Sequence, residues 1–246
     1  MAILEHLGKY ILFMGRVFSK PERFRVYYKQ IIREIENLGI SSIGIVTVIS
    51  LFIGAVITIQ TAYNMENPFL PTYLIGLMAR DTILLEFSST IIALILAGKA
   101  GSSISSEIGT MQVTEQIDAL EIMGVNSACF LVLPKIAAAL FFFPLLCVMS
   151  MIVGIFGGWS LGSLSGVVSS EHFISGIRYA LNLYYVWYAI VKMLVYALIV
   201  TTIPAYFGYH VTGGSLEVGN ASTTSVVWSS ILILVADLIL TQLMLS

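Results

Sequence analysis

Charged side chains are what this chain most lacks. They make up 11% of its 246 residues, against ~25% in an ordinary soluble domain. A chain so poor in charge has no means of wetting a globular surface, and an ordinary soluble domain is excluded. Cysteine is nearly absent. Cys129 and Cys147 both stand in apolar surroundings without metal-ligand spacing and read as packing residues. The three histidines, His6, His172 and His210, form no metal constellation. There is no GxxxxGK[ST] phosphate loop, and no loop is large enough to hold a nucleotide alone. Internal repeats and low-complexity linkers are missing. The first apolar run, Tyr10 to Met14, is too short for a cleavable signal peptide. Nothing points to nucleic acid.

What is present is apolar: 58% of the residues, with a mean hydropathy of +0.94. The apolar runs have helical length, which favours a helical bundle over a barrel. The fold class expected is all-α, a polytopic membrane protein. Five spans are predicted near 40–62, 83–104, 129–160, 184–208 and 223–245, each at or above the ~20 residues that cross a bilayer. The third is too long for one straight crossing, so Pro134 and Pro144 are expected to kink it, or its start to lie along the interface. Residues 1–246 are read as a single membrane domain, with an interfacial helical region over 1–38 and the bundle over 39–246. That first region mixes seven of the twelve Lys and Arg with apolar and aromatic residues, and Pro21 divides it. The mixture suits helices lying on an anionic membrane face.

Orientation follows from the Lys and Arg bias. An inside N-terminus places Lys9, Arg16, Lys20, Arg23, Arg25, Lys29, Arg33, Lys99 and Lys135 on the inner side and only Arg80 and Arg178 outside. The N-terminus is therefore expected in the cytoplasm and the C-terminus outside, with 105–128 as the main cytoplasmic loop.

That loop holds SSEIGTMQVTEQIDALEIMG (105–124), with Glu107, Glu115, Asp118 and Glu121 and no Lys or Arg. Thr114 is the expected N-cap of a short helix, with Glu115, Gln116 and Asp118 in its first turn and Gly124 just past its end. Val113, Ile117 and Leu120 form a greasy side; Glu115, Asp118 and Glu121 form an acidic one. An acidic face does not suit an anionic membrane. It suits a protein partner, as when a permease receives force from a separate ATPase.

Residues 97–124, AGKAGSSISSEIGTMQVTEQIDALEIMG, resemble the signature of MlaE-type ABC permeases, the membrane subunits of bacterial phospholipid transporters. The likeness extends more weakly over nearly the whole chain, including IREIENLG (32–39) and the last span with its Asp237. It implies that residues 107–124 form a coupling helix, with Glu107, Gly109, Thr110, Met111, Thr114, Glu115, Gln116, Asp118, Ala119, Leu120 and Gly124 at the docking site. It further implies a homodimer, two ATPase subunits that carry the ATP and Mg, an outer MCE-domain lipid-binding protein and a phospholipid cargo. The place implied is a bacterial inner membrane. No cofactor, metal or catalytic residue is expected in this chain itself.

Glu86, Lys192 and Asp237 lie in or near the spans. A charge at the bilayer centre costs ~2.5–3.5 kcal/mol on insertion scales, so such groups face an interior or a wet cavity. The three would offset one another if they converge, as a polar lining or as a structural ion pair. Glu86 matches the Glu of the family's RELGP stretch, which here reads LEFSS; the preceding Arg is Leu85. Arg80 and Asp81, one or two turns earlier, are placed to compensate. Ile53, Val56, Ile57, Gln60 and Tyr63 fall on one helical stripe, and the resemblance implies that it faces a lipid cavity.

GWSLG (158–162) fits the GxSxG of a hydrolase elbow, which needs a strand, a sharp turn and a helix. Here it ends a span, and Gly154, Gly158, Gly162 and Gly166 recur at helix-packing spacing. A rival reading is a stand-alone proton-coupled secondary transporter with Glu86 and Asp237 as relays. The lack of inverted repeats counts against it.

Overall fold

The structure, a computed structural model, describes residues 2–19, 24–65, 71–166 and 168–245; side chains of 2–6 and 24–26 are outside the description. The chain is an all-α polytopic membrane protein. Among the described residues there are eight helices and no strand: α1 (Ala2–Val17), α2 (24–64), α3 (Tyr73–Val113), α4 (Gln116–Ile122), α5 (Ser127–Leu164), α6 (Ser170–Arg178), α7 (Leu183–Tyr209) and α8 (Ser215–Leu245). Five of them, α2, α3, α5, α7 and α8, are long and apolar enough to cross a membrane.

The expected spans are found, but two begin earlier than their apolar runs. α2 starts at Phe24 rather than near 40, so the second half of the expected interfacial region is continuous with the first span. Pro21, expected to divide that region, lies outside the described residues. α3 starts at Tyr73 rather than near 83. Both extensions carry charges that an apolar window rejects, and tertiary contacts answer one in each, Glu34 and Arg80. α3 and α2 also contain i→i+5 turns, at Ile35–Ile40, Ile83–Ile91 and Ala97–Gly101. Such wide turns interrupt the ordinary ladder and recur at functional sites. α5 is one unbroken helix through Pro134 and Pro144, and prolines are tolerated inside membrane helices.

The chain divides into two compact units. The first takes Met1–Ser41, Ala93–Phe142 and Val195–Ile239; the second takes Ser42–Ile92, Phe143–Leu194 and Leu240–Ser246.

In the second unit, α2 and α5 meet backbone to backbone. A Cβ added at Gly54 would stand 1.9 Å from the Gly154 carbonyl oxygen, and one at Gly157 would stand 2.2 Å from the Leu51 oxygen. Small residues let membrane helices approach this closely, because packing rather than hydrophobicity drives their association. Ser50 Oγ donates to Ser150 Oγ at 2.8 Å across the same seam. Gly158 and Gly162 face Thr58, but Gly166 sits in a left-handed turn, φ +70°, so the fourth glycine of the expected stripe serves a turn. Ser160, the serine of GWSLG, is inside α5 and donates to the Gly157 carbonyl at 3.3 Å, so no strand–turn–helix elbow exists there. α6 is a helix where the apolar pattern gives only an outer loop. Its N-cap Ser169 accepts from the His172 N–H, and Phe173 packs with Ile57, Ile75, Ala79 and Ile83.

In the first unit, Phe13 of α1 is buried in an aromatic cluster with Tyr206, Tyr209 and His210. Tyr10 donates to Thr202 at 2.8 Å. The other face of α1 exposes Leu7, Ile11 and Leu12, an arrangement that suits a helix half-sunk in an interface.

Candidate functional site

The acidic segment is two helical pieces rather than one. Residues 107–113 complete α3, with Ile108 and Gly109 buried and Val218 Cγ1 3.2 Å from where a Gly109 Cβ would be. Thr114 is not the N-cap expected for α4. It ends α3, and its hydroxyl donates to the Thr110 carbonyl at 2.8 Å. The chain reverses at Glu115, which takes the left-handed conformation at φ 59° and caps α4. The C-terminal end is as expected: Gly124 adopts φ +80°, its N–H donates to Glu121 O at 2.9 Å and Val125 N–H donates to Leu120 O at 3.1 Å. This is the paired closure in which a left-handed glycine satisfies the last carbonyls.

α4 turns Ile117 inward and leaves Val113 and Leu120 half-buried. Glu115, Gln116, Asp118, Ala119 and Glu121 are exposed. So are Ile122 at 87% and Met123 at 68%, two large apolar side chains that the helical pattern did not single out. Their signal was there: an apolar pair just before the closing glycine, off the Val113–Ile117–Leu120 face.

The segment is held firmly at its far end. Glu121 Oε1 accepts from Tyr209 OH and from Ser127 Oγ, each at 3.0 Å. Asn126 caps α5, its Oδ1 accepting the Cys129 N–H at 3.2 Å, while its Nδ2 donates to the carbonyls of Arg16 and Ser19 at 2.9 and 3.0 Å. One side chain thus joins the start of α5 to the chain just after α1. At the near end, Glu107 Oε2 lies 2.7 Å from Lys135 Nζ, which is also 2.8 Å from Glu34 Oε1. From sequence, Lys135 serves only as an orientation marker.

The membrane-embedded charges each have polar partners. In the second unit, Lys192 is fully buried, and its ammonium lies 3.1 Å from Glu86 Oε2. It also donates to Tyr188 OH at 3.1 Å and Thr241 Oγ1 at 3.3 Å. In the first unit, Asp237 Oδ1 accepts from Tyr196 OH at 2.7 Å. Arg80 does not compensate beside Glu86. Its guanidinium bonds Asp81 Oδ1 and the carbonyls of Ile177 and Tyr179 at the end of α6. A cation there favours the negative pole of that helix.

The α2 stripe is not uniform in burial. Val56, Gln60 and Tyr63 are exposed and Ile53 is half-buried, but Ile57 belongs to the core with Phe173. The exposed apolar row runs Val48, Phe52, Val56, Ile59, Tyr63.

A family profile described as Permease MlaE matches residues 31–243. The chain belongs to the MlaE permease family. Among relatives, it is 32% identical to a probable ABC transporter permease protein of Rickettsia bellii, covering 98% of this chain and 93% of the relative. It is 30% identical to a probable ABC transporter permease protein of Synechocystis, covering 94% and 87%. It is also 30% identical to the intermembrane phospholipid transport system permease protein MlaE of Haemophilus influenzae, covering 95% and 89%. This MlaE-family chain is therefore an ABC transporter permease, a membrane transport subunit. In this MlaE-family chain, Glu115, Asp118, Ile122 and Met123 share one exposed projection, and Glu86 forms an ion pair with the buried Lys192.

Proposed function

We propose that this chain is the membrane subunit of an ATP-driven phospholipid transporter in a bacterial inner membrane. Its two compact units work as one permease domain, and two copies form a homodimer. A separate ATPase, carrying ATP and Mg, docks on 107–124 with the N-terminus on the same, cytoplasmic side. An MCE-domain protein exchanges lipid on the other side. The cavity between copies is lined by the exposed face of α2, including Val56, Gln60 and Tyr63. α8 supplies a second uncovered apolar face, with Val227, Ile231, Leu234 and Leu238 exposed.

One observation carries the reading. A permease of this family presents a short, well-closed helix with an acidic and apolar tip, anchored to the ends of α5 and α7 through Glu121. An anchored projection transmits displacement, whereas a loose loop absorbs it. The charged groups described above bind and position neighbouring groups. Native mass spectrometry of the tagged chain, gently extracted from its own membranes, tests the reading. Two copies with two ATPase subunits, an MCE-protein ring and bound phospholipid are expected. A chain that stays alone across mild detergents overturns it.

A further inference from the structure

Lys135 is almost fully buried in the apolar α5, yet it has two carboxylates within 2.8 Å. One carboxylate would neutralise it. A second is not needed for neutrality, and Glu107, half exposed, has water as an alternative partner. The second acid is therefore better understood as a tie than as a counter-charge. The two acids come from different helices, and their exposure differs. Glu34 of α2 is 13% exposed, with its other oxygen buried and unpartnered among the described residues; Glu107 of α3 is 49% exposed.

The positions of the two acids give the tie a direction. Glu107 lies two turns before the end of α3, at the start of the docking segment. Glu34 immediately precedes the wide i→i+5 turns of Ile35–Ile40. Ser41 closes those turns, and its carbonyl accepts from Lys99 of α3. Thus the irregular stretch of α2 is bracketed by two cationic links to α3, one through Lys135 and one direct. Wide turns of this kind are where a helix redirects most cheaply. Beyond them the same helix carries the exposed row with Val56 and Tyr63.

We infer that Lys135 is a positioning residue for energy coupling: by joining Glu107 to Glu34 it passes displacement of the docking segment to the irregular turns of α2. This inference rests on the docking reading above. It assigns no contact with lipid or nucleotide to Lys135.

The test uses the intact complex with its ATPase in phosphatidylethanolamine–phosphatidylglycerol vesicles, and measures labelled phospholipid moved per ATP hydrolysed. Lys135→Arg keeps both links and should keep the ratio. Glu34→Gln leaves the Glu107–Lys135 pair and the whole docking segment intact, so the protein should fold and hydrolyse ATP while the ratio falls about tenfold, an ordinary coupling free energy. Since Lys135→Met alone would strand Glu34, the neutral combination Glu34→Gln, Lys135→Met, which leaves the exposed Glu107 in place, is the second variant, with the same loss expected. A wild-type ratio in Glu34→Gln or in the neutral combination overturns the inference and leaves the docking reading standing. A wild-type chain that recruits no ATPase and moves no lipid on ATP addition overturns both.

Discussion

Glu86 and Lys192, 106 positions apart in sequence, meet at 3.1 Å, and only the lysine is fully buried. The asymmetry decides what each substitution does. Glu86→Gln takes a carboxylate from a fully buried ammonium that also bonds Tyr188 and Thr241, and should destabilise the protein. Lys192→Met leaves a carboxylate that is 40% exposed and should cost less. Thermal melts in a single detergent check the order; an equal or reversed order would show that the pair is not what holds these helices.

The α2–α5 seam predicts a sharp contrast between glycines. Gly54→Ala and Gly157→Ala each drive a methyl group into facing backbone and should destabilise by about 1–3 kcal/mol or more. Gly44, in the same helix as Gly54, has nothing within 4 Å of the point an added methyl would occupy. Gly44→Ala should be neutral or slightly stabilising. The same melts report all three.

Glu115 separates backbone from charge. Its left-handed conformation is one that glycine adopts freely, so Glu115→Gly should stabilise the turn by about 0.5–1 kcal/mol. Glu115→Val, β-branched at a positive φ, should lose about 1–2 kcal/mol. For docking the order changes: Glu115→Lys with Asp118→Lys should reduce ATPase recovered on the tagged permease. Unchanged recovery would remove the acidic face from the interface.

Photo-crosslinkers on α2 should report which face meets lipid. Val56 and Tyr63 are exposed and should capture phospholipid in native membranes, whereas Ile57, packed with Phe173, should not. Capture from Ile57 equal to that from Val56 would mean that the α2 stripe is not what separates lipid from core.

Much of the fold was written in the apolar runs, because a bilayer leaves helices few alternatives. Their ends were not. Residues 27–40 and 73–82 carry Arg33, Glu34, Glu36, Arg80 and Asp81, and a hydropathy window stops at them. Glu34 is answered by Lys135, and Arg80 by carbonyls far along the chain, so their tolerance is a tertiary fact. The docking segment was legible as an acidic helix with a glycine end. Its start was not, because capping rules favour Thr114, whereas the turn rests on a non-glycine residue at positive φ, which no local pattern announces. The Glu86–Lys192 pair could be proposed from cost alone; the Lys135 trio could not, since its members sit at helix ends where charge looks ordinary.

The closeness of Gly54 to Gly154 also limits how this permease can work. Ridged cylinders in direct backbone contact cannot slip lengthwise or roll without driving side chains through one another. At that level α2 and α5 travel as a single plank. Any widening that a transport cycle demands must open along faces the seam does not clamp, and a search for moving parts should begin there.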